Sequence, residues 1–100
     1  MDKYEVKLSP AAQRDFLSVT EQINSLPLEE AIPVYDQILT ESEILQTSPT
    51  GCPFARDSQL RLRGYRIFTV NDYMFFFVIC GSTVSIRRIL YAKRRYERFV

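Results

Sequence analysis

The last third of the sequence contains three strand-like segments that two short turns separate. Residues 65–70 are rich in β-branched and aromatic residues, residues 73–80 are apolar throughout, and residues 83–91 form a third such segment. Asn71-Asp72 and Gly81-Ser82 are two-residue connections of the kind that join adjacent antiparallel strands. The unbroken apolar run indicates a central strand that is covered on both faces. This region therefore predicts three consecutive antiparallel strands.

The third of these segments changes phase along its length. Val84 and Ile86 are apolar on one face, whereas Ile89 and Tyr91 are apolar on the other. Such a change predicts a β-bulge near Arg87-Arg88, and bulges can re-aim side chains close to functional sites.

The beginning of the chain predicts a strand followed by a helix. Residues 4–8 alternate apolar and charged side chains, which is typical of a half-buried strand. Ser9 is a favourable N-cap residue, and Pro10 suits the first helical position. Apolar residues then recur at helical spacing and predict one buried stripe. The stripe consists of Ala12, Phe16, Val19 and Ile23.

A second helix is predicted from about Glu29 to Leu45, after a break at residues 24–27. Pro33 would interrupt the interior of a helix, so we expect it in the first turn, where amides lack intrahelical partners. The expected buried face consists of Tyr35, Ile38, Leu39 and Leu45. The short linker predicts an antiparallel helical hairpin, and residues 47–53, with two prolines and a glycine, predict a loop.

The element order is therefore β-α-α-β-β-β, with a short basic helix expected over residues 92–100. One hundred residues suit one domain, and we expect residues 1–100 to form it. The predicted fold class is α+β, with the helical hairpin packed on one face of a mostly antiparallel sheet. The other sheet face would then lack helices. We expect a partner, a second copy or the basic tail to cover it near Phe75 and Phe77.

Charge is distributed unevenly along the chain. Residues 1–50 carry three basic and nine acidic residues, a net charge of −6. Residues 51–100 carry ten basic and three acidic residues, a net charge of +7. Nine of those ten bases are Arg, whose planar guanidinium suits phosphates and carboxylates. The asymmetry favours an anionic partner for the second half, although two solvated faces of opposite charge would also explain it.

The absence of His from the sequence excludes Ser-His-Asp and Cys-His catalysis. Cys52 and Cys80 are the only cysteines and are too few for a structural zinc site. We therefore expect no metal and no other cofactor. We expect no signal peptide, and the sequence has no apolar run of membrane-spanning length, so we expect a cytoplasmic protein with reduced thiols. Cys52 is expected in a loop and Cys80 in the core.

Three stretches of the sequence resemble the RelE/ParE superfamily of bacterial toxins. Residues 4–12 with Asp15-Phe16 look like the strand-to-helix start of that family. Gly64-Tyr65-Arg66, followed by residues 71–77, looks like its first sheet hairpin, and residues 84–96 are similar to its final strand and tail. The element order agrees over essentially the whole length, so the order and spacing of the stretches carry the resemblance.

The resemblance implies the toxin of a type II toxin–antitoxin module, also called a plasmid stabilisation system, which causes growth inhibition. RelE-like members cut messenger RNA in the ribosome with Lys and Arg side chains and a Tyr or His. ParE-like members bind and poison DNA gyrase. Members of both kinds are neutralised by a cognate antitoxin, through which the complex is expected to bind operator DNA. No membrane partner is implied.

If the chain is a nuclease, basic residues must stabilise negative charge and an acid must protonate the leaving oxygen, a role that a Tyr could fill. The candidate catalytic residues are Arg66, Arg88, Tyr91, Lys93 and Arg94, with Tyr96 as a second Tyr. The expected partner-binding residues are Arg87, Arg88, Lys93, Arg94, Arg95, Phe75 and Phe77.

Structural roles are the competing interpretation of the same residues. Arg66 could pair with an acid across the sheet, and Arg87-Arg88 could be a solvated strand edge. Tyr91 and Tyr96 could be packing residues.

Three positions depart from the RelE-like pattern. Met74 lies where those nucleases carry an Arg, and Phe99-Val100 stands where they have a terminal Tyr. Arg66 and Phe68 fall near the places of their lysine cluster. The leading hypothesis is therefore a ParE-like toxin that inhibits its target by binding. The alternatives are a ribosome-dependent endoribonuclease and an inactive relative that binds only its antitoxin or operator DNA.

Overall fold

The structure, a computed structural model, describes residues 3–91. Its elements are β1 Glu5–Leu8, α1 Pro10–Asn24, α2 Leu28–Glu41, α3 Ile44–Thr47, α4 Ser58–Leu62, β2 Arg66–Val70, β3 Tyr73–Cys80 and β4 Thr83–Tyr91. The predicted α+β fold and the β-α-α-β-β-β order are confirmed, with α3 and α4 as short additions. The helix predicted over residues 92–100 lies outside the described residues.

The strands of the described range form one sheet in the order β1-β4-β3-β2. β2, β3 and β4 are consecutive antiparallel neighbours, as predicted. β1 lies parallel to β4 at the other edge and pairs along its whole length, from Glu5 opposite Thr83 to Leu8 opposite Ile86. The helices supply the long crossover that a parallel pair requires.

Both predicted tight turns are present in the sheet. Asn71 (φ 55°) and Gly81 (φ 62°) adopt the left-handed backbone that two-residue hairpin turns demand. Gly adopts this conformation without strain, and Asn tolerates it better than most other residues.

The predicted bulge lies at Arg87. Phe76 is opposite Arg88 and Phe77 is opposite Ile86, so Arg87 is the extra residue of β4. The expectation that the apolar side chains of β4 change faces at the bulge is wrong. The apolar side chains before and after it pack in the same core and not on opposite faces of the sheet. They are Val84, Ile86 and Ile89, with Tyr91 packed against them.

The helical hairpin packs on one face of the sheet and forms the main core. The buried residues include Ala12, Val19 and Ile23 of α1, Ala31 and Ile38 of α2, and Phe75, Phe77, Val84, Ile86 and Ile89 of the strands. Two predicted core positions are wrong, since Phe16 is 39% exposed and Leu39 is 68% exposed. Leu39 follows Ile38 and therefore points about 100° away around the helix.

α2 is shorter than predicted, and Leu45 is buried from the separate helix α3. Pro33 is the sixth residue of α2 and not part of its first turn, which corrects the expected position. A Pro at this place leaves the carbonyl of Glu29 without its intrahelical amide partner. Both residues are exposed, so water can satisfy that carbonyl.

The second face of the sheet is covered in part by α4, which corrects the expectation of a face without helices. Ala55 and Leu60 pack there over the strand residues Ile67, Phe76 and Leu90. Five residues are too few to show helical periodicity in a sequence. The one local signal is Asp57, whose carboxylate accepts a hydrogen bond from the Leu60 amide at 3.0 Å and caps the helix.

Candidate functional site

Arg66 anchors the loop before β2. Its Nη1 donates to the carbonyl oxygens of Thr50 at 3.1 Å and Cys52 at 2.8 Å. Its guanidinium carbon lies 3.9 Å from the ring centroid of Phe54, a cation–π contact. The acid partner suggested by the sequence is therefore replaced by backbone carbonyls and an aromatic ring, and these contacts give Arg66 a structural role.

Cys52 lies in a loop, as expected, whereas the expectation of a buried Cys80 is wrong. Cys52 is buried in the main core, and Cys80 is exposed at the end of β3. Burial raises the pKa of the Cys52 thiol above its ordinary value of 9.0, and the nearby charge of Arg66 only partly offsets this. Cys52 is therefore held as an unreactive thiol at neutral pH.

Arg88 is locked to α1 by Asp15. Its Nε and Nη2 donate to the two carboxylate oxygens at 2.6 and 3.1 Å. The same carboxylate accepts the backbone amide of Ile89 at 3.0 Å. The side chain of Asp15 is 17% exposed and that of Arg88 is 26% exposed. The hydrogen bonds that Arg88 donates to Asp15 raise the pKa of the guanidinium further above its ordinary value. Arg88 therefore remains charged and its charge is matched.

The Asp15–Arg88 pair lies where β1 ends, beyond the part of β4 that pairs with β1. The Ser9 amide donates to the carbonyl of Ile86 at 2.9 Å, and the Ser9 hydroxyl donates to the carbonyl of Arg87 at 3.0 Å. Ser9 and Asp15 thus provide hydrogen-bond partners for backbone groups of β4 that do not bond to a neighbouring strand. Sequence reasoning predicted Ser9 only as a helix cap and missed the role of Asp15. The available signal was an acid at the margin of the apolar stripe of α1.

Beside this pair is a cleft of about 320 Å³, lined in part by Asp15, Gln22, Tyr73, Arg88 and Tyr91. The Tyr73 hydroxyl donates to Oε1 of Gln22 at 3.1 Å. Its ring meets that of Tyr91 edge-on, with centroids 5.8 Å apart. Burial first, and then the neighbouring Tyr91, raise the pKa of Tyr73 above 10.0. Tyr73 therefore remains a neutral phenol near neutral pH and does not act there as a proton acceptor.

A second concave surface, called here the second-face groove, lies beside the edge strand β2. It is lined by Pro53, Phe54, Arg56, Ile67, Thr69 and Met74 and encloses about 480 Å³. Its lining is mostly apolar, and among the described residues that line it Arg56 is the single charged side chain. Met74 is part of this lining. Sequence reasoning missed Phe54 and Arg56, which lie between the predicted loop of residues 47–53 and the predicted strand of residues 65–70.

The structure separates the predicted site residues. Arg66 and Arg88 belong to different strands and contact different parts of the chain. Arg87 is exposed, with its Nε donating to the Ser85 hydroxyl at 2.9 Å, which agrees with a solvated strand edge. Tyr91 is half-buried at the Tyr73 cleft. Lys93, Arg94, Arg95 and Tyr96 lie outside the described residues.

Phe75 and Phe77 were expected to contact a partner. Both are buried under the helical hairpin, at 5% and 0% exposure, and in this arrangement they offer no surface to a partner. Over residues 3–91, no group of three His, Cys, Asp or Glu side chains could hold a metal ion. No helix of that range is long and apolar enough to cross a membrane.

Two solved structures share this fold. A chain of the chromosomal ParDE toxin–antitoxin system from P. aeruginosa superposes with a TM-score of 0.67 at 18% identity, covering 90% of this chain and 97% of that one. A chain of the RelBE2 toxin–antitoxin complex from Mycobacterium tuberculosis gives a TM-score of 0.55 at 21% identity, covering 93% and 97%. No protein-family model matches the sequence. No curated protein matches it significantly.

Proposed function

We propose that this chain is the toxin of a type II toxin–antitoxin module and that it inhibits a macromolecular target by binding, in the manner of ParE. The fold supports the toxin role, because the likeness to chains of ParDE and RelBE2 complexes covers nearly the whole length of each. The higher TM-score belongs to the ParDE chain, at 0.67 against 0.55. DNA gyrase is accordingly the first target to test.

The observation that favours inhibition by binding over RNA cleavage is that Arg66 and Arg88 are both held by contacts within the chain. Cleaving RNA requires cations that face the developing negative charge and a group that exchanges a proton near neutral pH. Arg66 contacts the backbone of its own chain, and Arg88 is matched by Asp15. Tyr73 is not a proton acceptor near neutral pH, because its pKa is raised. Among the described residues, these contacts favour an inhibitor that acts through its surface.

The second-face groove is the surface that best suits a protein partner. Its lining is apolar, and Arg56 lies at the groove while Arg61 and Arg63 follow on and after α4. Such a surface fits a segment that presents apolar side chains with acidic residues beside them. We propose that the cognate antitoxin contacts this groove with a segment of that kind.

The test of the mode of action is pulse-labelling of new DNA and new protein within minutes of inducing the chain in a bacterial host. An early fall of DNA synthesis, with purified gyrase inhibited by the purified chain, is the expected result. An early fall of protein synthesis with cut messenger RNA would replace the proposal with a RelE-like endoribonuclease. Unchanged growth and unchanged labelling at a confirmed expression level would reject a toxin altogether.

The antitoxin surface is tested with a charge reversal, Arg56→Glu, against the matched reversal Arg14→Glu on the exposed side of α1. We expect Arg56→Glu to weaken binding of the antitoxin by about 10-fold or more and Arg14→Glu to leave it unchanged. Isothermal titration calorimetry at two salt concentrations measures both. Equal affinity of the two variants would contradict the placement of the antitoxin at the groove.

A further inference from the structure

Helix α2 exposes an apolar stripe that no part of the described chain covers. Leu28, Ile32 and Leu39 are 72%, 50% and 68% exposed. Their spacings of four and seven residues place them on one side of the helix. Ala31 and Ile38 are buried, so the stripe lies beside the face that packs on the sheet. An exposed row of three large apolar side chains on a short helix usually marks a contact surface.

The surroundings of the α2 stripe are acidic. Residues 15–55 contain seven acids and no Lys or Arg. Two of these acids, Glu29 and Asp36, are exposed and lie about 80–100° around α2 from Leu28. Arg14, on α1, is the nearest base in the sequence before this segment. Two copies that met stripe to stripe would place these acids against each other, so a symmetric contact is disfavoured.

The second-face groove has the complementary properties. It lies on the side of the sheet that carries α4, whereas α2 lies on the side of the main core. Its apolar lining contains Phe54, which is 46% exposed, with Ile67 and Met74. Arg56, at the groove, carries a positive charge that complements the negative charges of Glu29 and Asp36. Because the sheet separates the two surfaces, the stripe of one copy cannot reach the groove of the same copy.

We propose that, when no antitoxin occupies the second-face groove, the groove of one copy receives the α2 stripe of a second copy of this chain. An amphipathic helix that lays its apolar side into a groove is a recurrent mode of protein recognition. The contact joins two different surfaces, so it is heterologous and leaves one stripe and one groove free in every dimer. Assembly therefore continues with increasing concentration, and it weakens as salt screens the Arg56 charge.

The contact is tested on the purified chain by analytical ultracentrifugation. Leu39→Glu places a charge in the stripe, and Thr69→Glu places a charge in the groove. Both positions are exposed, so we expect the variants to fold. Thr40→Glu and Gln59→Glu are matched controls at exposed positions outside the stripe and the groove lining. We expect the native chain and both controls to associate with increasing concentration. We expect each disruptive variant to associate about 10-fold or more weakly.

The decisive experiment mixes the two disruptive variants. Leu39→Glu retains an intact groove and Thr69→Glu retains an intact stripe, so their mixture should form a one-to-one dimer that does not grow further. A native chain that stays monomeric up to about 1 mM, the weak limit of measurable association, would overturn the inference. So would a mixture that stays monomeric, or controls that are as weak as the disruptive variants. No antitoxin or target is present, so such a failure leaves the proposed function untouched.

Discussion

Neighbouring residues of β3 pack on two unlike faces of one sheet. Phe75 and Phe77 lie under α1 and α2 in the main core, whereas Phe76 between them lies under α4 in a core of few residues. The first face is closed by a helical hairpin, with acidic residues on its outer side. The second is closed only in part and keeps an open apolar groove with Arg56 at its side. The comparison indicates that the packing under the first face supplies most of the stability, and the open groove of the second face is the surface that we propose receives a partner.

The largest expected effect on the free energy of unfolding comes from a cavity in the main core. Phe77 is 0% exposed, and Phe77→Ala should lower the free energy of unfolding by about 3–5 kcal/mol, because it removes buried area and leaves a cavity. Urea denaturation measures this loss. Phe76→Ala is the counterpart on the second face, where fewer side chains border the cavity. A larger loss for Phe76→Ala than for Phe77→Ala would reverse the assignment of the two faces.

The Asp15–Arg88 pair should come next. Asp15→Ala leaves the Arg88 charge partly buried and the Ile89 amide without its acceptor, and should cost about 2–3 kcal/mol. Asp15→Asn is the control, since it keeps an oxygen for the Ile89 amide and should cost less. Urea denaturation compares the two variants. Equal losses would show that the ion pair, and not the capping of the β4 edge, provides the stability.

Tyr73 should give a smaller effect with a distinctive pH dependence. Its pKa is raised in the folded chain, so the folded state holds the proton to higher pH than the unfolded state does. The free energy of unfolding contributed by this group is therefore complete below pH 10.0 and falls as pH rises through the folded pKa. Tyr73→Phe removes that alkaline loss and costs about 0.5–1.5 kcal/mol at pH 7, from the lost bond to Gln22. An unchanged alkaline profile in the variant would contradict this.

The smallest effect on stability is expected in the second-face groove. Arg56 is exposed, so Arg56→Glu should change the free energy of unfolding by no more than about 0.5 kcal/mol. The same substitution is predicted to weaken the binding of partners. Thermal denaturation measured beside binding separates the two effects. A stability loss as large as that of Asp15→Ala would remove the distinction between a packing face and a contact face.

Periodicity predicted the elements whose side chains repeat over several turns or strands. The three C-terminal strands, both tight turns, the bulge near Arg87 and the Ser9 cap of α1 were predicted from local patterns and are confirmed. Errors arose where an element was too short to show a periodic pattern, or where the pattern did not define the first and last residues of a helix. α4 spans five residues, and α2 starts early enough to put Pro33 in its interior.

The candidate site was predicted less well, because a charged side chain acquires its role from distant parts of the chain. Arg66 and Arg88 were correctly placed on strands. Their partners lie in a loop and on α1, at separations of up to 73 residues, which no local pattern reports. Of the partner-binding candidates, Phe75 and Phe77 are buried by the hairpin, and Lys93–Arg95 lie outside the described residues.

The sequence by itself determined the fold class and the uneven charge of the two halves. Alternation, helical spacing and turn residues act over a few neighbours, so they can be read without coordinates. The tertiary structure alone decided that Arg66 and Arg88 are held by contacts within the chain, that α4 partly covers the second face, and that an apolar groove remains beside Arg56. Each of these depends on long-range packing, because a side chain is free or engaged only in relation to what the folded chain places against it.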